Sequence, residues 1–418
     1  DGKTTGGGIS GGGGTVDATA VSGWGTRTIG EYVHDSAQQI GEGTYGRVFK
    51  ARRKDEGPDG PVYALKQMLI HNHSEGFPRT AVREVKILST LKHPHLVELK
   101  EIITDTDALC KPDASSGRDQ KGSIYLAFEY LDYDMAGLLE SSYRLTPVEI
   151  KLFLHQLLQA LSYMHDNDFV HRDLKTSNLL VSAHHVLKLG DFGLGRQMDR
   201  PQRKMTTKVV TQWYRPPELL LGATNYRTEV DMWSVGCIFA EMWLRRPLFP
   251  GATEGQQLSC IFDIVGTPTR ETWEGYEKLP NASVVAGMEV KPNVLPQFVS
   301  ANIPEMPPDA RDLLGRLLQL DPSRRLTAKG ALNTPYFRTE PHIPSDPEDL
   351  PSLADSLPTG VDFHEFQSKK RRKEKKAQDA RGRSAADAPN GSGSPVGGVK
   401  GAAAAAVAMA AAAAQRLG

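Results

Sequence analysis

The spacing of apolar and polar positions changes partway along the chain. Early segments such as RVFKA, VYALK and SIYLAFEY place β-branched and aromatic residues between turn residues, which is typical of β-strands. From Thr146 onward, the segment TPVEIKLFLHQLLQALSYMH repeats apolar residues at helical spacing. Pro147 at the first helical position, with a capping box of Thr146 and Glu149, predicts where this helix begins. The pattern therefore predicts a strand-rich lobe followed by a helix-rich lobe, with a cleft between them.

Composition marks the limits of these two lobes. Residues 1–30 are rich in glycine, serine and threonine, and we expect them to be disordered because they cannot bury enough apolar surface to offset the entropy of ordering. No apolar run in this stretch resembles a secretory signal. Residues 32–337 have a globular composition and divide into an N-lobe over about 32–131 and a C-lobe over about 132–337.

The carboxyl-terminal residues 338–418 are predicted to form a second disordered tail. They begin with proline and acidic residues, continue through the basic run 369–376 and end rich in glycine, serine and alanine. The alanine tract GAAAAAVAMAAAAAQ falls short of the roughly 20 apolar residues that a membrane-spanning helix needs. We therefore expect no association with a membrane.

Charge and cysteine content exclude several kinds of partner and of structural site. The chain has 50 lysines and arginines and 50 aspartates and glutamates, so no overall field favours nucleic acid and we expect no direct nucleic-acid partner. Cys110, Cys237 and Cys260 stand far apart without CxxC spacing. This spacing argues against structural zinc and a disulfide scaffold, and it favours a reducing compartment.

The segment GEGTYGRV, from Gly41 to Val48, has three glycines at GxGxxG spacing. Such glycines let a backbone approach phosphate groups closely, although tight hairpins also use glycine, so the pattern alone is weak. Here the segment follows Ile40 and continues into the strand RVFKA, and it does not open a helix. A hairpin that covers phosphates fits this position better than a dinucleotide-binding turn.

A lysine and a glutamate are candidates for a pair inside the cleft. Lys66 ends the strand VYALK, and Glu84 follows on a predicted helix whose apolar stripe would dock it against the sheet. The pair would leave the ammonium group in position to hold phosphate oxygens. Two unrelated surface charges are the alternative interpretation.

Two further motifs place polar residues among apolar neighbours. HRDLKTSN ends at Asn178, and LGDFG contains Asp191. Their side-chain oxygens suit magnesium ions that bridge phosphates, and Asp173 is left to orient a substrate hydroxyl. A structural turn with a local Asx turn is the alternative, but both motifs occur in order and in register.

In this order the motifs are similar to those of eukaryotic protein kinases over about residues 32–337, with RPPE in place of the usual APE. The resemblance implies an α+β, bilobal kinase fold with a small β-rich N-lobe and a larger helical C-lobe. It implies a cofactor pair of ATP and Mg²⁺. The implied catalytic residues are Asp173 as base, Lys175 as the group that steadies the transferred phosphoryl, and the Lys66–Glu84 pair, with Asn178 and Asp191 as magnesium ligands.

The resemblance also implies where the nucleotide binds. The adenine would stack between Ala64 and Leu180, behind Phe128, and hydrogen bond to the backbone at Glu129 and Leu131. It implies structural roles for a Glu218–Arg325 pair and for Asp231, which would brace the catalytic loop. The other implied ATP-binding residues are Ile40, Gly41, Glu42, Gly43, Thr44, Tyr45, Gly46, Val48, Lys66 and Asp134.

The segment PRTAVRE resembles the helix signature of cyclin-dependent kinases, except at Arg79. This resemblance implies a cyclin partner that pushes the helix inward. In the activation segment, which runs from Asp191 to Glu218, Thr206 matches the activating phosphothreonine of that family, and Thr207 is the competing acceptor. Three arginines ordering one phosphate would form a strong charge-assisted switch, and the matching arginines are Arg83, Arg172 and Arg196.

The implied substrates are Ser-Pro and Thr-Pro sites, since Val209, Val210 and Arg215 match the family's pocket for proline. The insertion DTDALCKPDASSGRDQKG and the tail segment FHEFQSKKRRKEKK resemble plant C-type and elongation-type members, which phosphorylate the heptad tail of RNA polymerase II. A nuclear serine/threonine kinase acting in transcription is therefore expected, with the basic run as an import signal. A cell-cycle cyclin-dependent kinase and a pseudokinase scaffold remain the alternatives, although no catalytic residue is missing.

Overall fold

The N-lobe is built on one antiparallel sheet. The computed structural model describes residues 27–43, 46–69, 79–104, 123–198, 211–358 and 363–367. Within them, five strands are ordered β1-β2-β3-β5-β4, and neighbours along the chain pair as hairpins except where β3 pairs with β5. The strands are β1 (Tyr32–Gly43), β2 (Gly46–Arg53), β3 (Val62–Leu69), β4 (Leu99–Thr104) and β5 (Ser123–Glu129).

One helix packs against this sheet. Helix α1 (Arg79–Thr90) buries Ala81, Glu84, Ile87 and Leu88, which recur every three or four residues and so share one face. The opposite face leaves Val82 half exposed. The docked helix forms as predicted, but the predicted stripe of Val82, Val85, Leu88 and Leu91 is wrong at Val82, because Ala81, Glu84 and Ile87 occupy the buried face.

The C-lobe is helical and contains most of the core. Helix α5 is buried at every residue from Val230 to Met242, as expected for a helix that is largely apolar on all sides. The helices are α2 (Met135–Glu140), α3 (Pro147–Asp166), α4 (Pro217–Leu220), α5 (Glu229–Leu244), α6 (Glu254–Val265), α7 (Ser283–Ala286), α8 (Leu295–Asn302), α9 (Pro308–Leu317), α10 (Ala328–Leu332) and α11 (Leu353–Ser356).

Helix α3 begins where the sequence predicted. The Thr146 hydroxyl accepts a hydrogen bond from the Glu149 amide, and the Glu149 carboxylate accepts one from the Thr146 amide. This reciprocal capping satisfies two amides that the helix itself leaves unpaired. Glu149 also receives hydrogen bonds from Tyr143 and His185, so the cap ties the helix to two neighbouring segments.

Two small sheets hold the loops of the cleft. The two-stranded sheet pairs β7 with β10, and the three-stranded sheet has the order β6-β8-β9. The loop that follows β7 contacts the loop that follows β9, because His171 Nε2 lies 3.0 Å from the Gly190 carbonyl. The strands are β6 (Tyr133–Asp134), β7 (Phe169–Val170), β8 (Leu179–Val181), β9 (Leu187–Leu189) and β10 (Arg196–Gln197).

Part of the carboxyl-terminal region folds onto the C-lobe, although the sequence predicts a disordered tail there. Leu353 is fully buried and its amide donates to the Ala183 carbonyl at 2.9 Å. Further along, Phe363 is buried and forms a β-bridge with Tyr133. The proline-rich, acidic composition favours disorder, but Leu353, Leu357 and Phe363 are buried against the core, and the burial of this apolar surface outweighs the entropy of ordering. The disorder prediction is therefore wrong for residues 338–358 and 363–367.

Several predicted features lie outside the described residues. They are most of the glycine-rich amino-terminal region, the inter-strand insertion at 105–122, most of the activation segment, the basic run and the alanine tract. Among the residues that the structure does describe, no helix is both long and apolar enough to span a membrane.

Candidate active site

The candidate catalytic loop, His171–Asn178, is held in place by a buried carboxylate on helix α5. The amides of His171 and Arg172 donate to the two carboxylate oxygens of Asp231, each at 2.9 Å. Burial alone would raise the pKa of Asp231, but the hydrogen bond and charge of His165 lower it overall. The ionised carboxylate fixes Arg172 with a φ of 66°, a conformation that a non-glycine residue keeps only where its surroundings enforce it. Asp231 therefore braces the loop, as the resemblance implied.

Asp173 is the centre of the loop's polar contacts. Its Oδ2 lies 2.9 Å from Lys175 Nζ, and its Oδ1 accepts hydrogen bonds from the amide and hydroxyl of Thr211 at 3.1 and 3.0 Å. The Asn178 side-chain amide donates to the Asp173 carbonyl at 2.8 Å. Because the nitrogen of that amide is used in the loop, the oxygen is the atom of Asn178 that is suited to a cation.

Lys66 on β3 forms ion pairs with Glu84 on α1 and with Asp191 of the LGDFG motif. Its Nζ lies 2.9 and 2.8 Å from the two carboxylate oxygens of Glu84 on α1, and 3.2 Å from Asp191 Oδ1. Burial lowers the pKa of Lys66, but the Asp191 and Glu84 charges outweigh it and raise the pKa overall. The Lys66 charge in turn lowers the pKa of Asp191 to about 2. Lys66 and Asp191 are therefore charged at neutral pH, whereas burial raises the pKa of Glu84 against the effect of the Lys66 charge.

These side chains open onto one cavity of about 410 Å³ between the lobes. Strand register explains part of the arrangement, because Ala64 pairs with Phe128 and Val48 pairs with Lys66 across neighbouring strands. Cavities of this size fit a small-molecule ligand. The predicted residues that line it are Ile40, Gly41, Gly46, Val48, Ala64, Lys66, Glu84, Phe128, Glu129, Leu131, Asp134, Asp173, Lys175, Asn178, Leu180 and Asp191.

Four predicted residues of the glycine-rich hairpin have no described side-chain placement. Glu42 and Gly43 end strand β1, and only their backbone is described, whereas Thr44 and Tyr45 lie outside the described residues. The hairpin itself forms as predicted, since Gly43 pairs with Gly46 across β1 and β2.

The tail supplies one wall of the cavity that sequence reasoning missed. Oδ1 of Asp134 accepts a hydrogen bond from the Gly137 amide and Oδ2 accepts one from the Glu365 amide, both at 2.7 Å. Gln367 also donates a hydrogen bond to the Gln39 carbonyl on β1. A signal was present, because the FHEF stretch places two phenylalanines in an otherwise polar region. The wall is formed by His364, Glu365 and Phe366.

Two of the three predicted phosphate-binding arginines reach neighbouring points of the activation segment. Arg83 Nη1 donates to the Gly193 carbonyl at 3.1 Å, and Arg172 Nε donates to the Leu194 carbonyl at 2.8 Å. Arg196 lies two residues further, on β10. The predicted acceptor Thr206 lies outside the described residues, as do Val209 and Val210.

The other predicted pairs lie on the C-lobe. Arg215 Nη1 lies 2.9 Å from Glu254 Oε1. Arg325, whose side chain is fully buried, binds both carboxylate oxygens of Glu218 at 2.6 and 2.7 Å. The pair that the resemblance implied is therefore present, and two parallel hydrogen bonds fix its geometry.

Comparison with known proteins agrees with this geometry. A protein-family model described as protein kinase domain matches residues 34–337. Cyclin-dependent kinase C-1 of Oryza sativa subsp. japonica is 43% identical over 362 residues, which are 85% of this chain and 66% of that relative. The chain thus spans just under two thirds of the relative's length.

Two solved structures extend the comparison to three dimensions. The yeast RNA Pol II CTD kinase CTDK-1 complex matches with a TM-score of 0.66 and 34% identity, over 76% of this chain and 96% of that one. The CAK complex from Chaetomium thermophilum, bound to ATP-gamma-S, matches with a TM-score of 0.66 and 36% identity, over 77% and 95%.

Proposed function

We propose that this chain, which belongs to the protein kinase family, is a cyclin-dependent serine/threonine kinase that transfers the γ-phosphate of ATP to protein hydroxyls. The observation that carries the proposal is the convergence of Lys66, Glu84 and Asp191 on the same cavity as Asp173 and Lys175. Phosphoryl transfer depends mainly on positioning and on stabilising charge, and this cavity offers both.

Each side chain has a role that follows from its contacts. Lys66 is held by Glu84 and directs its ammonium group to the phosphates. Asp173 lies next to Thr211 of the neighbouring segment, where it orients the substrate hydroxyl and accepts its proton. Lys175, 2.9 Å from Asp173, carries positive charge to the phosphoryl group as it transfers.

The donor set fits a hard divalent cation such as Mg²⁺. Asp191 is ionised at neutral pH because its pKa is lowered to about 2, and Asn178 has its amide oxygen available to a cation while its nitrogen binds the loop. Carboxylate and amide oxygens are the ligands that magnesium prefers. When bound, the ion neutralises phosphate charge.

The expected substrates are Ser-Pro and Thr-Pro sites, with the repeats of the RNA polymerase II tail as the leading candidate and the nucleus as the site of action. Support comes from the names of the similar proteins, which include a polymerase tail kinase, and from the PRTAVRE signature, whose residues from Arg79 onward lie on α1. Val82 on that helix is half exposed, which suits a surface for a cyclin. Phosphorylation of Thr206 is the proposed second activating step, in which Arg83, Arg172 and Arg196 bind the phosphate.

The test is phosphorylation by the full chain purified with its bound cyclin. We expect the complex to label a polymerase-tail heptad peptide, and Asp173→Asn to lower the rate by at least about a hundredfold because the proton acceptor is lost. Asp166→Asn makes the same chemical change at an exposed position at the end of α3 and is the matched control.

The outcomes separate the alternatives. Equal labelling by the wild-type and Asp173→Asn complexes would contradict the mechanism and favour a scaffold. Identification of the co-purified cyclin distinguishes a transcriptional kinase from a cell-cycle kinase.

A further inference from the structure

One face of helix α5 holds the catalytic loop and the segment 211–215 together. Asp231, at the start of the helix, binds the amides of the loop. Ser234, one turn later, donates to the Tyr214 carbonyl at 2.9 Å. Glu241 lies two further turns along, on the same face, and contacts both segments through their side chains.

The contact at Glu241 is a buried cluster of three side chains. The Tyr214 hydroxyl donates to Glu241 Oε2 at 2.8 Å. The Thr176 hydroxyl lies 3.0 Å from the Tyr214 oxygen and 3.4 Å from Glu241 Oε1. All three residues are less than a tenth exposed, so water contributes little to satisfying their polar groups.

When Glu241 is ionised and can only accept, the number of protons fixes the direction of these bonds. A tyrosine or threonine hydroxyl has one proton to donate. Tyr214 gives its proton to Glu241 at the shorter distance, so Thr176 must be the donor in the Thr176–Tyr214 bond. Thr176 therefore donates to Tyr214, and Tyr214 donates to Glu241. Of these three residues, Thr176 is the one that belongs to the catalytic loop.

The Thr176–Tyr214 hydrogen bond is the second of two hydrogen bonds that connect the catalytic loop with the segment 211–215. The first joins Asp173 to Thr211, and the second joins Thr176 to Tyr214, with a separation of 38 residues in both. Two hydrogen bonds that are three residues apart in each segment fix both the distance and the orientation of the segment 211–215 relative to the catalytic loop. Arg215, which belongs to the predicted substrate pocket, comes directly after the second one.

We propose that the Thr176 hydroxyl is a positioning group for the protein substrate, which sets the segment 211–215 in register with the catalytic loop. The proposal rests on the proposed kinase function. It assigns Thr176 no contact with the reacting atoms and no role in nucleotide binding.

The test measures separate KM values for a polymerase-tail peptide and for ATP, using the full chain with its cyclin. Thr176→Val keeps the shape of the side chain and removes the hydroxyl. Because one net hydrogen bond is lost, we expect the peptide KM to rise roughly fivefold, with the ATP KM unchanged. Thr176→Ser restores the donor and should return the peptide KM to the wild-type value.

A double-mutant cycle tests whether Thr176 acts through Tyr214. Tyr214→Phe should raise the peptide KM at least as much, and adding Thr176→Val to it should change little more. The cycle also provides a second variant if Thr176→Val folds poorly, which thermal melting reports.

Each outcome has a distinct meaning. An inactive wild-type complex would contradict the proposed function before any variant is compared. An active wild type with an unchanged peptide KM in Thr176→Val would overturn the positioning role. Equal impairment of Thr176→Ser and Thr176→Val, or a parallel rise in the ATP KM, would show a general structural defect and would also overturn it.

Discussion

At the scale of single residues, Glu241 combines burial with neutral hydrogen-bond donors. Burial raises its pKa from 4.5 to about 7, and the hydroxyls of Tyr214 and Thr176 lower it only in part. The same carboxyl in the unfolded chain ionises near 4.5. Between these two pKa values the folded state keeps a proton that the unfolded state has released, so stability falls as pH rises through this window. The full cost, about 3 kcal/mol, is present above the folded pKa.

We expect Glu241→Gln to remove this pH dependence, because an amide keeps the shape and does not ionise. The free energy of unfolding of the variant relative to wild type, measured by denaturant titration, should rise steadily between pH 5 and pH 7.5 and approach a gain of about 3 kcal/mol. Glu274→Gln, at an exposed glutamate, is the control and should show no such trend. A constant difference between Glu241→Gln and wild type across this range would contradict the shifted pKa.

At the scale of elements, the tail segment 363–367 depends on the absence of a side chain on α2. A Cβ atom added at Gly137 would overlap with the backbone carbonyl of Phe363. A backbone atom cannot turn aside as a flexible side chain can, so the tail segment must move. Alanine also stabilises a helix relative to glycine by about 0.5–1 kcal/mol. The substitution should therefore displace the tail without destabilising helix α2, and the two effects can be measured separately.

We predict that Gly137→Ala releases the tail while leaving the C-lobe stable. Hydrogen exchange in residues 363–367 should accelerate, and a fluorescent ADP analogue should dissociate severalfold faster because one wall of the cavity is lost. Gly315→Ala on α9 is the matched control, since a Cβ there meets nothing within 4 Å. Unchanged exchange and dissociation in Gly137→Ala would show that the contact does not hold the tail.

The elements also show where sequence reasoning succeeds. The start of α3 was predictable because Thr146, Pro147 and Glu149 are local signals that act within one helical turn. The Lys66–Glu84 pair and the resemblance to cyclin-dependent kinases were predicted from ordered motifs, and the structure and the comparisons confirm both.

Other features depend on contacts between distant segments and leave little local trace. The tail wall joins Glu365 to Asp134, 231 residues away, and composition alone indicated disorder. The Thr176–Tyr214 bond spans 38 residues, and neither residue carries a pattern that names its partner. Burial of these groups is decided by the assembled fold, which periodicity within one element does not reveal.

At the scale of the whole molecule, the buried Glu218–Arg325 pair joins the end of the activation segment to the C-lobe core. The Arg325 guanidinium also lies 5.0 Å from the centre of the Trp233 ring, on α5. Removing one partner of such a pair leaves a charge buried without compensation, which costs about 3–5 kcal/mol. Removing both partners together avoids that penalty, because desolvation of the two charges offsets most of their attraction.

We therefore expect Arg325→Leu to lower the melting temperature strongly, and the double variant Glu218→Met with Arg325→Leu to recover most of the loss. Arg316→Leu is the control, because Arg316 pairs with Asp312 on an exposed helix face and such pairs contribute only about 0.3–0.5 kcal/mol. The double variant should nevertheless phosphorylate peptide poorly. The Glu218–Arg325 pair anchors the end of the activation segment to the C-lobe, and without this anchor Tyr214 and Arg215 lose their fixed positions. Full activity in a stable double variant would mean that the pair supports folding alone, and that helix α5 by itself places the segment over the catalytic loop.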